Sequence, residues 1–157
     1  MYIASPLGFT EAGRRWSAEV LLPAVEGAGL EPLDPWADPA DHIGLALRVV
    51  DPNERRVALG AANTAVARRN ADLIRSADGV LAVLDGTDVD SGTAAEIGFA
   101  VALGLPVTGL RTDIRLSADN EAATVNLQVE GFIVQSGGDI DREVAAAVAR
   151  LAALVAD

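Results

Sequence analysis

The sequence predicts an α/β domain, an open, doubly wound, mostly parallel sheet of about five strands with helices on both faces. Three observations predict it. Short apolar runs alternate along the chain with longer stretches of helical periodicity. One run, GVLAVLD at 79–85, is continuously apolar between turn signals, as a strand buried on both faces should be. Glycine or proline stands at the main junctions, among them Pro6, Gly29, Pro52, Gly79, Gly104 and Pro106. Half of the 157 residues are hydrophobic, so a core can be buried, and the length suits a single domain over 1–157.

Each element follows in turn. MYIAS (1–5) opens with a strand, and SPLGFTEAG is a turn. From Thr10 the apolar residues Trp16, Val20, Leu21, Ala24, Val25 and Ala28 recur at helical spacing until Gly29 stops them. Leu30–Leu33 is a second short strand, closed by the loop DPWADP, and 41–50 is a short helix. A long helix runs from Pro52 or Asn53 to about Ala77, with proline where helices accept it. After the 79–85 strand come a helix over about 92–103, a strand at 106–110 and a polar stretch at 111–128. GFIVQ (131–135) reads as the last strand, and 141–156 as a closing amphipathic helix with acids in its first turn. No internal repeat or linker interrupts this order.

Composition removes several chemistries. There is no cysteine, hence no thiolate nucleophile or thiolate metal site. All twelve basic residues are arginine, so neither a Schiff-base lysine nor a P-loop lysine is available. The one histidine, His42, reads as an ordinary surface residue. A net charge of −11 and a pI near 4.4 disfavour nucleic acid as a partner. No apolar run is long enough for a membrane span, and the first residues lack the basic region of a signal peptide, so the expected location is the cytoplasm.

What remains is carboxylates, hydroxyls, amides and arginines. Asp85, Asp88 and Asp90 follow the most buried strand, where ligands gather in doubly wound sheets, and the Tyr2–Phe9 segment should reach the same edge. No G-x-G-x-x-G or Walker pattern follows a strand. The three aspartates lack the glycine and closing glutamate of a calcium loop, so no metal is expected, and no cofactor. Glu96 opens the next helix. Thr93-Ala-Ala-Glu96 fits a capping box, in which the carboxylate returns to a backbone N–H. If Asp90 or Ser91 caps the helix instead, Glu96 is free to face the cleft. There an ionised carboxylate suits attack on the anomeric carbon of a sugar, with a second carboxylic acid handling the proton.

Three blocks carry a resemblance: YIASPLGF (2–9), SADGVLAVLDGTDVDSGTAAEIGFAVALGLPVTGLRTD (76–113) and VNLQVEGFI (125–133). Together they resemble the nucleoside 2-deoxyribosyltransferase family. The resemblance implies a flavodoxin-like fold and exchange of a 2-deoxyribosyl group between nucleobases, with net retention through a glycosyl-enzyme ester. It implies Glu96, in A-E-I-G, as nucleophile and Asp78, in SADG, as the acid that manages the base's proton. Tyr2 would orient the nucleophile, Asp90 would place the substrate, and Asn126, in VNLQ, would be lent by a neighbouring subunit of a homo-oligomer. Ser5 and Gly92 join the expected substrate site, Gly92 by allowing close backbone approach. Each has a plainer reading: Asp78 as a turn residue, Asp90 and Asn126 as helix caps, Tyr2 as a packed strand residue. The expected partners are deoxynucleosides and free nucleobases. Two other functions stay open, a nucleoside 5′-monophosphate N-glycosidase and a non-catalytic nucleotide-binding module.

Overall fold

A computed structural model describes residues 1–37, 40–116 and 118–156. Asp38 and Pro39 of the expected DPWADP loop, and Ser117 of the 111–128 stretch, lie outside the described residues. Four parallel strands, β1 (Tyr2–Ala4), β2 (Val80–Val83), β3 (Val107–Leu110) and β4 (Ile140–Asp141), stand in the order β1-β2-β3-β4. Every residue of the first three is buried.

The helices are α1 (Glu11–Trp16), α2 (Leu22–Gly27), α3 (His42–Leu47), α4 (Pro52–Ser76), α5 (Ser91–Ala102), α6 (Leu127–Gln135) and α7 (Val144–Ala156). A π-helical turn, Ser17–Leu21, joins α1 to α2. Pro23 accounts for it, because its ring clashes with the carbonyl one turn back and it has no N–H to donate. Asp51 starts the 25-residue α4 by accepting from the N–H groups of Asn53 and Glu54, both at 2.9 Å. Among the described residues no helix is long and apolar enough to cross a membrane.

Side chains alternate across the sheet and so build two core layers. Tyr2, Ala4, Val80, Ala82 and Val107 pack with Ile74, Ile97, Val129 and Ile133 from α4, α5 and α6. Ile3, Leu81, Val83 and Leu110 pack with Leu21, Val25, Ala147 and Leu151 on the other side. That is the two-faced sheet the alternation predicts.

Two strand expectations are corrected. The Leu30–Leu33 strand shrinks to one parallel bridge, Leu33 to Tyr2, with Leu33 N–H donating to Met1 O at 2.8 Å and Ile3 N–H to Leu33 O at 3.1 Å. Pro32 has no N–H, which limits the run to an edge. The described sheet therefore has four strands, not about five. GFIVQ (131–135) is the body of α6, not a strand. Asn126 Oδ1 caps that helix from Gln128 N–H at 3.0 Å, and Val129 and Ile133 are buried one turn apart. A short apolar run has the same composition in either state, and here the cap decides. The last strand is β4, two half-buried residues beyond Gly138. A Cβ at Gly138 would lie 1.8 Å from Val107 O, so only glycine lets the chain reach β3 there.

Candidate active site

The first crossover leaves β1 for Leu33 on its outer side, and the next returns through α4 to β2 on its inner side. Between the carboxyl ends of β1 and β2 the chain therefore diverges, the place where such sheets bind ligands. A cavity of about 300 Å³ opens there.

Its chemistry centres on Glu96. Asp90 is the N-cap of α5, its Oδ2 accepting from Thr93 N–H at 3.0 Å and from Thr93 Oγ1 at 3.3 Å. The helix thus starts at Ser91, and Glu96 lies more than one turn inside it, so the capping-box arrangement does not form. Instead Tyr2 Oη, fully buried on β1, donates to Glu96 Oε1 at 2.6 Å. Asn70 of α4 stands beside the same carboxylate on the cavity wall. Burial raises the Glu96 pKa above the ordinary carboxylate value; donation by Tyr2 and the nearby Asn70 amide pull it down, and the charge of Asp90 pushes it up. The Tyr2 phenol is itself raised, first by burial and then by its bond to Glu96, so it stays a donor.

The walls are apolar: Phe9, Pro35, Trp36, Ile43 and Val66. Trp36 is fixed by its Nε1–H to Ser5 O at 2.9 Å, by its backbone N–H to Asp34 Oδ1 at 2.9 Å, and edge-on by Phe9 at 4.6 Å. Arg69 clamps the same loop, donating to Pro35 O at 3.0 Å and Ala37 O at 2.9 Å. Two carboxylates therefore face a flat, partly aromatic slot with Ser5, Asn70 and Thr93 at its edges.

Of the residues singled out in the sequence, Glu96, Tyr2, Asp90, Ser5 and Gly92 come together here. Asp78 does not. It is exposed before the first residue of β2, in a separate cleft with Met1, Glu31 and Ser76, while Glu96 belongs to the helix beyond that strand's other end. Asn126 lies outside this chain's cavity, and its oxygen caps α6. The other aspartates lace the loops. Asp85 Oδ1 accepts from the N–H groups of Thr112 and Asp113 at 2.6 and 2.8 Å, and Asp88 accepts from Val89 N–H at 2.8 Å. Asp113, held well below the usual carboxylate range by Arg115, accepts from Gly86 N–H at 3.2 Å. Buried Arg111 completes the support, donating to the carbonyls of Leu84, Gly86 and Arg115. The acidic cluster after β2 is thus largely structural, and Asp90 alone of the three turns toward the cavity.

Sequence reading missed Asn70, Trp36 and Phe9. Trp36 belongs to a loop and Phe9 to a single 3-10 turn, Leu7–Phe9, both too short to show periodicity. Asn70 gave one signal, a weak helix former four residues after Val66 on the same face of a long helix.

Fold and site together define a class: a doubly wound α/β protein that presents a half-buried glutamate to a slot at its switch point. The chain belongs to the nucleoside 2-deoxyribosyltransferase family, whose description matches residues 1–134. Solved structures share the fold. A conserved protein from Enterococcus faecalis is 24% identical with a TM-score of 0.67, over 96% of this chain and 94% of that one. A 2-deoxyribosyltransferase from Bacillus psychrosaccharolyticus is 22% identical with a TM-score of 0.57, over 84% and 80%. The CMP N-glycosidase BcmB of Clostridium botulinum is 19% identical with a TM-score of 0.53, over 96% and 97%. No curated protein matches the chain.

Proposed function

We propose that this protein is a nucleoside 2-deoxyribosyltransferase that works by retaining double displacement through Glu96. The carrying observation is the Tyr2–Glu96 pair at 2.6 Å on the wall of a slot with aromatic sides. The Glu96 carboxylate attacks C1′ of a bound deoxynucleoside. The C1′–N bond breaks, its electron pair leaves with the base, and the base nitrogen takes a proton. A second base then attacks C1′ of the glycosyl ester from the face the first one left, and Glu96 departs as carboxylate. Two inversions give net retention. The acceptor base gives up the proton that the first base gained, so the exchange consumes no acid or base.

Asp90 is the second carboxylate of the slot, and with one oxygen committed to Thr93 it serves to hold sugar hydroxyls. Asp78, on the far side of β2, is left without a part in this scheme. Asn126 acts, if in any site, in that of a neighbouring chain, so the proposal includes a homo-oligomer with shared sites. Among the described residues lining the slot none is cationic. A 5′-phosphate would meet two carboxylates, which favours nucleosides over nucleotides. Arg14 lies in a smaller cleft on the other side of Trp36.

The test is to incubate the protein with 2′-deoxyinosine and adenine, and separately with thymidine and cytosine, and to separate the products by chromatography. A new deoxynucleoside is expected, and Glu96→Gln should reduce its formation on the order of 10⁴-fold or more. Free base without exchange would make the protein a hydrolase. Binding without turnover would leave a nucleoside sensor.

A further inference from the structure

One polar atom in the site has no partner. Asn70 lines the Glu96 slot and also a groove of about 280 Å³ between α4 and α5, so it stands in the wall between the two. In both it stands beside Glu96, and its amide favours the charged carboxylate. An ionised carboxylate only accepts, so the N–H side of the amide is the one that can serve it. Its Oδ1 is left buried, with no hydrogen-bond partner among the described residues. A buried carbonyl without a partner is a cost that an apolar residue of the same shape would avoid. Packing alone therefore does not account for an amide here, whereas a donor placed beside a carboxylate does. Tyr2 bonds Glu96 from β1, and Asn70 flanks it from α4.

We propose that Asn70 is a positioning residue, which holds the Glu96 carboxylate in place and aimed into the slot from α4. The inference rests on the reading of Glu96 as nucleophile. The charged and titratable groups that bear on Glu96 are Tyr2 on β1 and Asp90 at the start of α5, with Asp34 and Arg69 acting through Tyr2. None of these is altered by a substitution at Asn70.

The experiment follows Glu96 directly. Protein labelled with ¹³C at glutamate carboxyls is titrated by NMR, and the resonance missing in Glu96→Gln is assigned to Glu96. In Asn70→Leu its midpoint is expected to rise by about half to one pH unit, since the donor to the anion is gone. The acid limb of kcat/KM should move with it, and kcat should fall about 10- to 100-fold with little change in KM, the pattern of a lost charge-assisted hydrogen bond. The melting temperature should hold or rise, because the unpartnered carbonyl is gone too. Asn70→Asp, close to isosteric, should raise the midpoint further by placing a like charge beside Glu96, and it serves if Asn70→Leu fails to fold. An unmoved Glu96 midpoint in either folded variant overturns the proposal and makes Asn70 a packing residue. If the wild type transfers no deoxyribose, the functional reading fails, and the titration still decides the role of Asn70.

Discussion

At the scale of the residue, the pair Tyr2–Glu96 sets up opposed requirements. Burial favours the protonated acid, while a nucleophile must be ionised. The phenol's donation offsets part of that burial, so Tyr2→Phe should raise the Glu96 pKa further. Loss of a hydrogen bond to a charged group costs about 1.5–3 kcal/mol, roughly 10- to 100-fold in kcat/KM. The deficit should be largest at low pH, where the variant's glutamate is protonated first, and should narrow as pH rises. A kcat/KM profile measures this, and a drop equal at every pH would assign Tyr2 to geometry alone. Glu96 and Tyr2 were legible in the sequence because each sits in a compact local pattern at a strand or helix end. Asp78 was misplaced because an acid before a strand and one after it look alike in sequence yet lie at opposite ends of the sheet. Asn70 left almost no trace, since Glu96 stands 26 positions away in the chain.

At the scale of the element, the slot is shaped by loops that depend on small residues. Gly8 lies against Trp36, and a Cβ there would come 1.8–2.4 Å from three ring atoms. The ring is held by Ser5 and Phe9 and its backbone by Asp34, so it cannot yield without losing those contacts. Gly8→Ala should therefore displace the indole wall while leaving Glu96, Tyr2 and Asn70 untouched. Overpacking of this kind costs about 1–3 kcal/mol, and it should show mainly as a higher KM and a shifted tryptophan emission, with kcat changed less. An unchanged KM would remove Trp36 from the substrate site. The same scale explains which elements could be read. α4 and α5 carry cap, periodicity and stop together, so their bounds were legible within about a residue. α6 was misread because its apolar residues are too few to show a period, and β4 was missed because two polar-flanked residues show none.

At the scale of the molecule, the alternation of elements forecast a parallel sheet with two covered faces, and the core layers have that form. Strand number was harder, because edge strands here are held by one or two pairs of hydrogen bonds that composition does not reveal. Charge acts at the same scale. A net charge of −11 makes the compact state repel itself, an effect that salt screens. Lowering the pH from 7 toward 5 begins to neutralise carboxylates and relieves that repulsion. Glu96 adds to the gain: its folded pKa is raised, so its contribution is fully present below the ordinary carboxylate value and is lost as pH rises through the folded one. Asp113 has the opposite sign: its folded pKa is depressed, so its stabilisation persists above the ordinary value and is lost only as pH falls through the folded one. The Met1 amino group, lowered by burial, opposes the gain as it charges, but it is one group against a net eleven. The melting temperature at low salt should therefore peak near pH 5, with roughly 2–4 °C lost by pH 7 for each kcal/mol involved, and fall in stronger acid as Asp113 loses its charge. Scanning calorimetry over pH 4–8 at two salt concentrations separates the causes. If 0.15 M salt flattens the slope above pH 5, self-repulsion dominates. If Glu96→Gln flattens it at either salt, the buried glutamate does, and its ionisation is then a cost the folded chain carries at neutral pH.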